Sequence, residues 1–184
     1  MTAAITGRGA VLVTGASRGL GRNMAMYLSE RGFHVFAGCR NPADVKEFIQ
    51  NASERLTPLL LDVTDEQSIA EAVETVSEAV GEGGLKGIVN NAGVAVYGPV
   101  EQIPVHIVEE QLRVNVVAPI IVTQRFLPHL RSGQGRIVNI SSVGGFVAPA
   151  IAGQLSDVFG LNASMLVSAR GMCVTPFRTM AAVT

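Results

Sequence analysis

Short apolar runs alternate with stretches of helical period along most of the chain. Ala10-Val11-Leu12-Val13, running into Thr14, predicts a first strand. Leu20, Met24, Tyr27 and Leu28 mark one apolar face of a following helix, which stops near Arg31-Gly32. Phe33 to Gly38 predicts a second strand, a short helix follows over about 43–53, and Pro58-Leu59-Leu60-Leu61 predicts a third strand. Thr64 is expected to cap the next helix, with Asp65 and Glu66 in its first turn. Ile69, Val73, Val76 and Val80 then recur at steps of four, three and four, one stripe of an amphipathic helix that Gly81, Gly83 and Gly84 end. Leu85 to Val89 predicts a fourth strand, and a helical region covers about 104–131. After Gly133-Gln134-Gly135, Arg136 to Ile140 predicts a fifth strand. Short apolar strands separated by amphipathic helices imply an α/β fold, a parallel sheet with helices on both faces. Right-handed crossovers make it a doubly wound sheet in three layers, with a ligand crevice at the C-terminal ends of the strands.

Composition narrows the function classes. The 184 residues suit one domain, and 48% hydrophobic against 16% charged residues excludes disorder. A net charge of −1 without a basic stripe gives no sign of nucleic acid or of a charged membrane surface as partner. Cys39 and Cys173 are too isolated for a disulfide framework or a zinc site, and His34, His106 and His129 show no ligand spacing, so no metal is expected. No apolar run reaches the ~18–20 residues that span a bilayer. With no long apolar leader in the first residues, a reduced, cytoplasmic setting is expected.

Chemistry enters with Thr14-Gly-Ala-Ser-Arg-Gly-Leu-Gly21, placed between the first strand and the first helix. A helix N-terminus presents backbone N–H groups without intrahelical partners, together with the positive end of the helix dipole. Gly15, Gly19 and Gly21 let the backbone turn sharply and approach a pyrophosphate, with Ser17, Arg18 and Leu20 completing the turn. The bland alternative is a strand–helix turn that holds no ligand.

Five motifs in order then resemble the short-chain dehydrogenase/reductase family over about residues 8–150. They are the glycine turn at 14–21, Leu-Asp-Val-Thr-Asp at 61–65, Asn-Asn-Ala-Gly at 90–93, Val-Asn-Val at 114–116 and Arg-Ile-Val-Asn-Ile-Ser-Ser at 136–142. The resemblance implies a Rossmann-like domain over 1–150 and a cofactor site formed by the turn with Asp62, Val63, Asn90, Ala92 and Gly93. It implies that Asp62 approaches the adenine, and it matches Asn115 and Ser142 to the family's catalytic asparagine and serine. Each residue also has a plainer reading. Asp62 can be a helix N-terminal charge, Asn90 and Asn91 can satisfy local turn backbone, and Pro119 can simply kink or start a helix. Alternatively Pro119, lacking an N–H, frees the carbonyl of Asn115 for an ordered water of the family's proton relay. After the second strand, where NAD-selective proteins carry an acid, this chain has Cys39 and then Arg40. With Arg18, that supplies two guanidinium groups suited to a 2′-phosphate, so the expected cofactor is NADP(H); two solvated arginines are the alternative.

The resemblance breaks after Ser142. The family's catalytic tyrosine and lysine would fall at residues 155 and 159, where this chain has Leu155 and Phe159. The only tyrosines are Tyr27, expected to be packed, and Tyr97, which lies beside the family's substrate pocket; the only lysines are Lys46 and Lys86. Residues 151–184 are expected to be a divergent, shortened segment packed on the same domain, without the family's last strands. Phe159 to Ala163 and Thr175 to Thr179 faintly resemble the helix after the lysine and the nicotinamide-contacting segment. Without a sixth strand, the fifth would be an open edge carrying Ile137, Val138 and Ile140. The functional expectation is an NADP(H)-binding oxidoreductase acting on a small carbonyl or secondary alcohol, impaired or inactive, with a homodimer among the expected partners. Its rivals are a non-catalytic binding module and an active enzyme using Tyr97.

Overall fold

The computed structural model describes residues 5, 7–51, 53–96, 100–141 and 173–176. Their element order is β1 (Ala10–Val13), α1 (Gly19–Glu30), β2 (His34–Cys39), α2 (Pro42–Asn51), β3 (Leu56–Leu60), α3 (Glu66–Val80), β4 (Leu85–Asn90), α4 (Val105–Leu112), a π-helical turn (Arg113–Val117), α5 (Ala118–Ser132), β5 (Arg136–Asn139) and β6 (Cys173–Pro176), with 3-10 turns at Gly81–Gly83 and Val100–Gln102. The sheet runs β3-β2-β1-β4-β5-β6. The first five strands are parallel. Strand order reverses between β1 and β4, and a doubly wound sheet opens its ligand crevice at such a reversal.

Period-two alternation in the strands feeds two cores, one on each face. Ala10 and Leu12 of β1 point to one, with Ile69, Ala72 and Val76 of α3 and Val122, Phe126 and Leu130 of α5. Val11 and Val13 point to the other, with Ala25 of α1 and Phe48 of α2. Both faces of the central strands are thus dry, as their unbroken apolar composition implies.

Four local expectations change. The first helix buries Gly21, Ala25 and Ser29, whereas Leu20 and Tyr27 are 58% and 53% exposed. Small residues at steps of four let the helix lie close on the sheet, so the larger side chains flank the contact instead of filling it. The Tyr27 ring lies under the Arg31 guanidinium, 4.7 Å from its centroid. The cap of α3 is Asp65, whose carboxylate accepts from the Gln67 and Ser68 N–H groups at 3.3 and 3.2 Å; Thr64 turns away to donate to Asp62. The helical region over 104–131 is interrupted by the π turn, in which the Ala118 N–H donates to the Arg113 carbonyl. This wider turn comes immediately before Pro119, which has no N–H for the regular pattern. Finally, β5 is not an open edge, because β6 pairs with it antiparallel, Ile137 opposite Thr175 and Val138 opposite Val174. Thr175 and Pro176 therefore belong to a strand, and the remainder of the 175–179 segment lies outside the described residues.

Candidate nucleotide-binding site

A cleft of about 270 Å³ opens at the C-terminal ends of β1 to β4. The glycine turn contributes Gly15, Ser17, Arg18, Leu20 and Gly21; the end of β2 contributes Arg40; the end of β3 contributes Leu61, Asp62, Val63 and Thr64. Asn91, Ala92, Gly93 and Val94 line it from the exit of β4, and Val114 from the π turn.

Hydrogen bonds lock two of these segments into one body. Buried Thr14 accepts the N–H groups of Asn91 and Ala92 on its Oγ1, each at 3.0 Å. In return the Asn91 side-chain amide donates to the carbonyls of Thr14 and Gly15, both at 3.0 Å. The approach is close enough to require glycine twice. Gly15 has φ +63°, and a Cβ there would lie 2.7 Å from the Ala92 Cα; a Cβ on Gly21 would collide with the Gly15 carbonyl oxygen and the Asn91 amide. Gly19 starts α1 with nothing within 4 Å of its Cβ position, and it does not line the cleft. Arg18 caps α1 through its backbone alone, and the first turn carries no acidic residue. The first N–H groups of the helix are thus left for an anion.

Around this cradle the expected residues divide. Asp62 lines the cleft, but its Oδ1 accepts from the Thr64 N–H at 2.9 Å and the Thr64 hydroxyl at 2.7 Å, a local turn that holds the end of β3. Asn90 is not a lining residue. It is 5% exposed, and its amide donates to Asn139 at 2.8 Å and Thr123 at 3.3 Å, while its Oδ1 has no hydrogen-bond partner. Strand alternation explains the exchange: consecutive asparagines face opposite ways, and Asn91 takes the cleft side. Asn115 clasps the backbone of Val94, accepting its N–H at 2.9 Å and donating to its carbonyl at 2.8 Å. Its side chain therefore shapes the loop after β4. Ser142, Tyr97, Leu155 and Phe159 lie outside the described residues.

The electrostatics of the mouth are cationic at the turn. Among the described residues, neither the Arg18 nor the Arg40 side chain has a hydrogen bond or ion pair; the ion pairs there are Arg22–Glu47 and Arg125–Glu66. At the end of β2, the Cys39 thiol is pushed up from its ordinary value to about 11 by burial and then by the Asp44 charge, against the Arg22 guanidinium. It is a neutral group where an acid would oppose a phosphate. A second cavity of about 430 Å³, lined by Arg40, Thr64, His106, Glu109, Glu110, Arg113 and Val114, adjoins the first. Arg113 is fixed on its rim by a 2.8 Å bond to the Thr64 carbonyl. The described residues contain no cluster of three or more metal-ligating side chains. None of their helices is long and apolar enough to cross a membrane.

Sequence comparison matches residues 9–154 to the family model described as short chain dehydrogenase. The chain belongs to the short-chain dehydrogenase family. Among its relatives is mouse retinol dehydrogenase 5, 42% identical over 154 residues that make up 83% of this chain and 48% of the relative. Bovine 17-beta-hydroxysteroid dehydrogenase type 6 is 43% identical over 139 residues, 75% of this chain and 44% of the relative. The chain thus spans about half the length of the curated relatives it matches. In three dimensions it resembles NADPH-bound carbonyl reductase from chicken fatty liver, with a TM-score of 0.69 and 34% identity over 74% of this chain and 60% of that one. It also resembles a short-chain dehydrogenase from Streptomyces avermitilis, with a TM-score of 0.68 and 29% identity over 86% of this chain and 61% of that one. The family binds nicotinamide cofactors, and its members here are dehydrogenases and reductases of alcohols and carbonyls.

Proposed function

We propose that this short-chain dehydrogenase binds NADP(H) and that its oxidoreductase chemistry is weak or absent. The observation that carries the cofactor choice is the pair of unpartnered guanidinium groups, Arg18 and Arg40, on a cleft whose second strand ends in a neutral thiol. Two cations without a carboxylate suit a ribose phosphate better than a bare 2′-hydroxyl. The residues present fit the dinucleotide: Gly15 and Gly21 let the turn pack against the β4 exit where a Cβ would collide, and the α1 N-terminus offers its N–H groups to a pyrophosphate. Val63 and Val114 line the cleft where the adenine would lie, and Asn91 and Asn115 hold its walls. The bound cofactor would supply hydride to a carbonyl carbon or accept it from a secondary alcohol. Ser142 would hydrogen-bond the substrate oxygen. With leucine and phenylalanine at 155 and 159, no side chain there can pass a proton, and general acid catalysis contributes about 10²–10⁴-fold.

The names of the relatives suggest retinoid or steroid alcohols and carbonyls as the substrate class. Titration of the chain with NADPH, followed by nicotinamide fluorescence, tests the cofactor reading, and absence of a saturable signal sinks it. Turnover over retinal, steroid ketones and simple aldehydes tests the chemistry; robust NADPH oxidation abolished by Tyr97→Phe overturns the impaired reading in favour of Tyr97 as the acid. The second reading, a non-catalytic interaction module, draws support from the exposed apolar residues of α4 and the π turn with α5, among them Val105, Leu112, Val116 and Ile120. A homodimer through that face is part of the proposal, as is a cytoplasmic location. Sedimentation and cell fractionation check each.

A further inference from the structure

Arg40 stands between two cavities. It lines the nucleotide cleft, and together with Thr64 and Val114 it also lines the neighbouring cavity of about 430 Å³. The rest of that cavity's lining is His106, Glu109, Glu110 and Arg113, from α4 and the start of the π turn. These four recur at steps of three, one and three, so they form one stripe of the helix. A surface helix ordinarily turns its apolar stripe inward. Here Val105, Val108 and Leu112 of α4 are exposed, and it is the charged stripe that borders the cavity.

The charge balance of the two cavities differs. In the cleft, Arg18 and Arg40 stand against one carboxylate, Asp62, which is engaged with Thr64. In the second cavity Arg40 and Arg113 are matched by two carboxylates. The Arg113 guanidinium is bonded to the Thr64 carbonyl at 2.8 Å, and among the described residues neither Glu109 nor Glu110 forms an ion pair. Their charges are therefore not neutralised by contact, and they bear on whatever anion Arg40 holds. The glycine turn does not line the second cavity. The stripe thus borders the Arg40 end of the cleft and not the anion cradle at α1.

We propose that Glu109 and Glu110 are specificity-determining residues of the cofactor site: their carboxylates oppose a 2′-phosphate at Arg40 and narrow the preference for NADP(H) over NAD(H). The proposal rests on the NADP(H) reading of the cleft and refines it. In NAD-selective dinucleotide folds an acid after the second strand occupies the ribose position. That place holds the neutral Cys39 thiol in this chain, and the opposing charge comes from α4 instead. The pyrophosphate is common to both cofactors, so the α4 carboxylates act on the group that tells them apart.

Fluorescence titrations of the full chain with NADPH and with NADH, in about 50 mM salt where screening is weak, test this in the wild type and in Glu109→Gln/Glu110→Gln. Glutamine matches glutamate in helix propensity, and both positions are exposed, so α4 keeps its form. The double variant is expected to bind NADPH about 3–10-fold tighter, with NADH within about twofold of wild type. Glu74→Gln/Glu78→Gln, on the exposed side of α3 and outside both cavities, makes the same change in net charge and should leave NADPH within about twofold. Raising the salt to about 1 M, where screening sets in at about 3 Å, should shrink the gain. Unchanged NADPH affinity in the α4 variant, equal gains for NADPH and NADH, or an equal gain from the α3 variant would each overturn the proposal and leave the cofactor reading in place. Failure of the wild-type chain to bind NADPH sinks the cofactor reading itself, and the proposal with it.

Discussion

A methyl group at residue 21 would run into the Gly15 carbonyl oxygen and the Asn91 amide, neither of which is the end of a free side chain. Gly21→Ala is therefore expected to cost about 1–3 kcal/mol, as overpacking does, and to abolish saturable NADPH binding. Urea unfolding with a parallel fluorescence titration checks both. Cys39 behaves in the opposite way, as a buried group that does nothing while the fold holds. Its thiol donates a long contact to the Ala37 carbonyl, 3.6 Å away, and burial raises its pKa to about 11. After iodoacetamide at pH 8, peptide mapping should find Cys39 unmodified in the native chain and alkylated in denaturant; rapid native alkylation would contradict the burial. The glycines were legible because only they tolerate such contacts. The exchange of Asn90 for Asn91 was not, since two adjacent asparagines read alike until a strand assigns them to faces.

At the scale of elements, helix termini were legible to within a residue or two, and their details followed competition between neighbours. Thr64 and Asp65 are both good caps. Asp62 captures the Thr64 hydroxyl, and Asp65 is left to cap α3. Asp65→Ala should cost about 1 kcal/mol, measured as a lower urea midpoint, whereas Thr64→Val should loosen the end of β3 and leave α3 capped. The apolar stripe of α3 was read correctly from its period. That of α1 was legible at Met24 and Leu28, which pack against the core, and not at Leu20 and Tyr27, because the helix lies against the sheet on Gly21, Ala25 and Ser29, residues that a search for large apolar side chains passes over. Pro119 announced an irregularity in the long helical region, and the π turn at Arg113–Val117 is the form it takes.

For the whole molecule, stability rests on two dry faces of one sheet. Phe126 of α5 is fully buried in the core shared with α3, so Phe126→Ala should lose about 3–5 kcal/mol by denaturant unfolding. Buried Cys39 and half-buried His34 each make stability depend on pH. Cys39, raised in the fold from 9.0 to about 11, stabilises fully below its unfolded value and loses that contribution as pH climbs from 9.0 to about 11. His34, lowered by burial and hydrogen-bonded to Thr57 at 2.9 Å, favours the neutral ring. Its contribution is present above its ordinary value of 6.5 and fades as pH falls below it. A scan of unfolding free energy against pH should accordingly fall away on both sides. His34→Gln should flatten the acid limb, and Cys39→Ala the alkaline one.

The sequence by itself determined the alternation of strands and helices, the parallel sheet and the glycine turn between β1 and α1. Each depends on local chain chemistry: the period of the apolar residues, the missing Cβ and the free N–H groups of a helix start. Only tertiary structure decided that Asn91 instead of Asn90 faces the cleft, that Asn115 clasps Val94, and that β6 closes the edge of β5. Those outcomes join residues far apart in the chain, and neither their spacing nor their composition carries the pairing. The same holds for the guanidinium groups of Arg18 and Arg40. Their presence was legible, but their standing unpartnered on one cleft is a property of the folded chain.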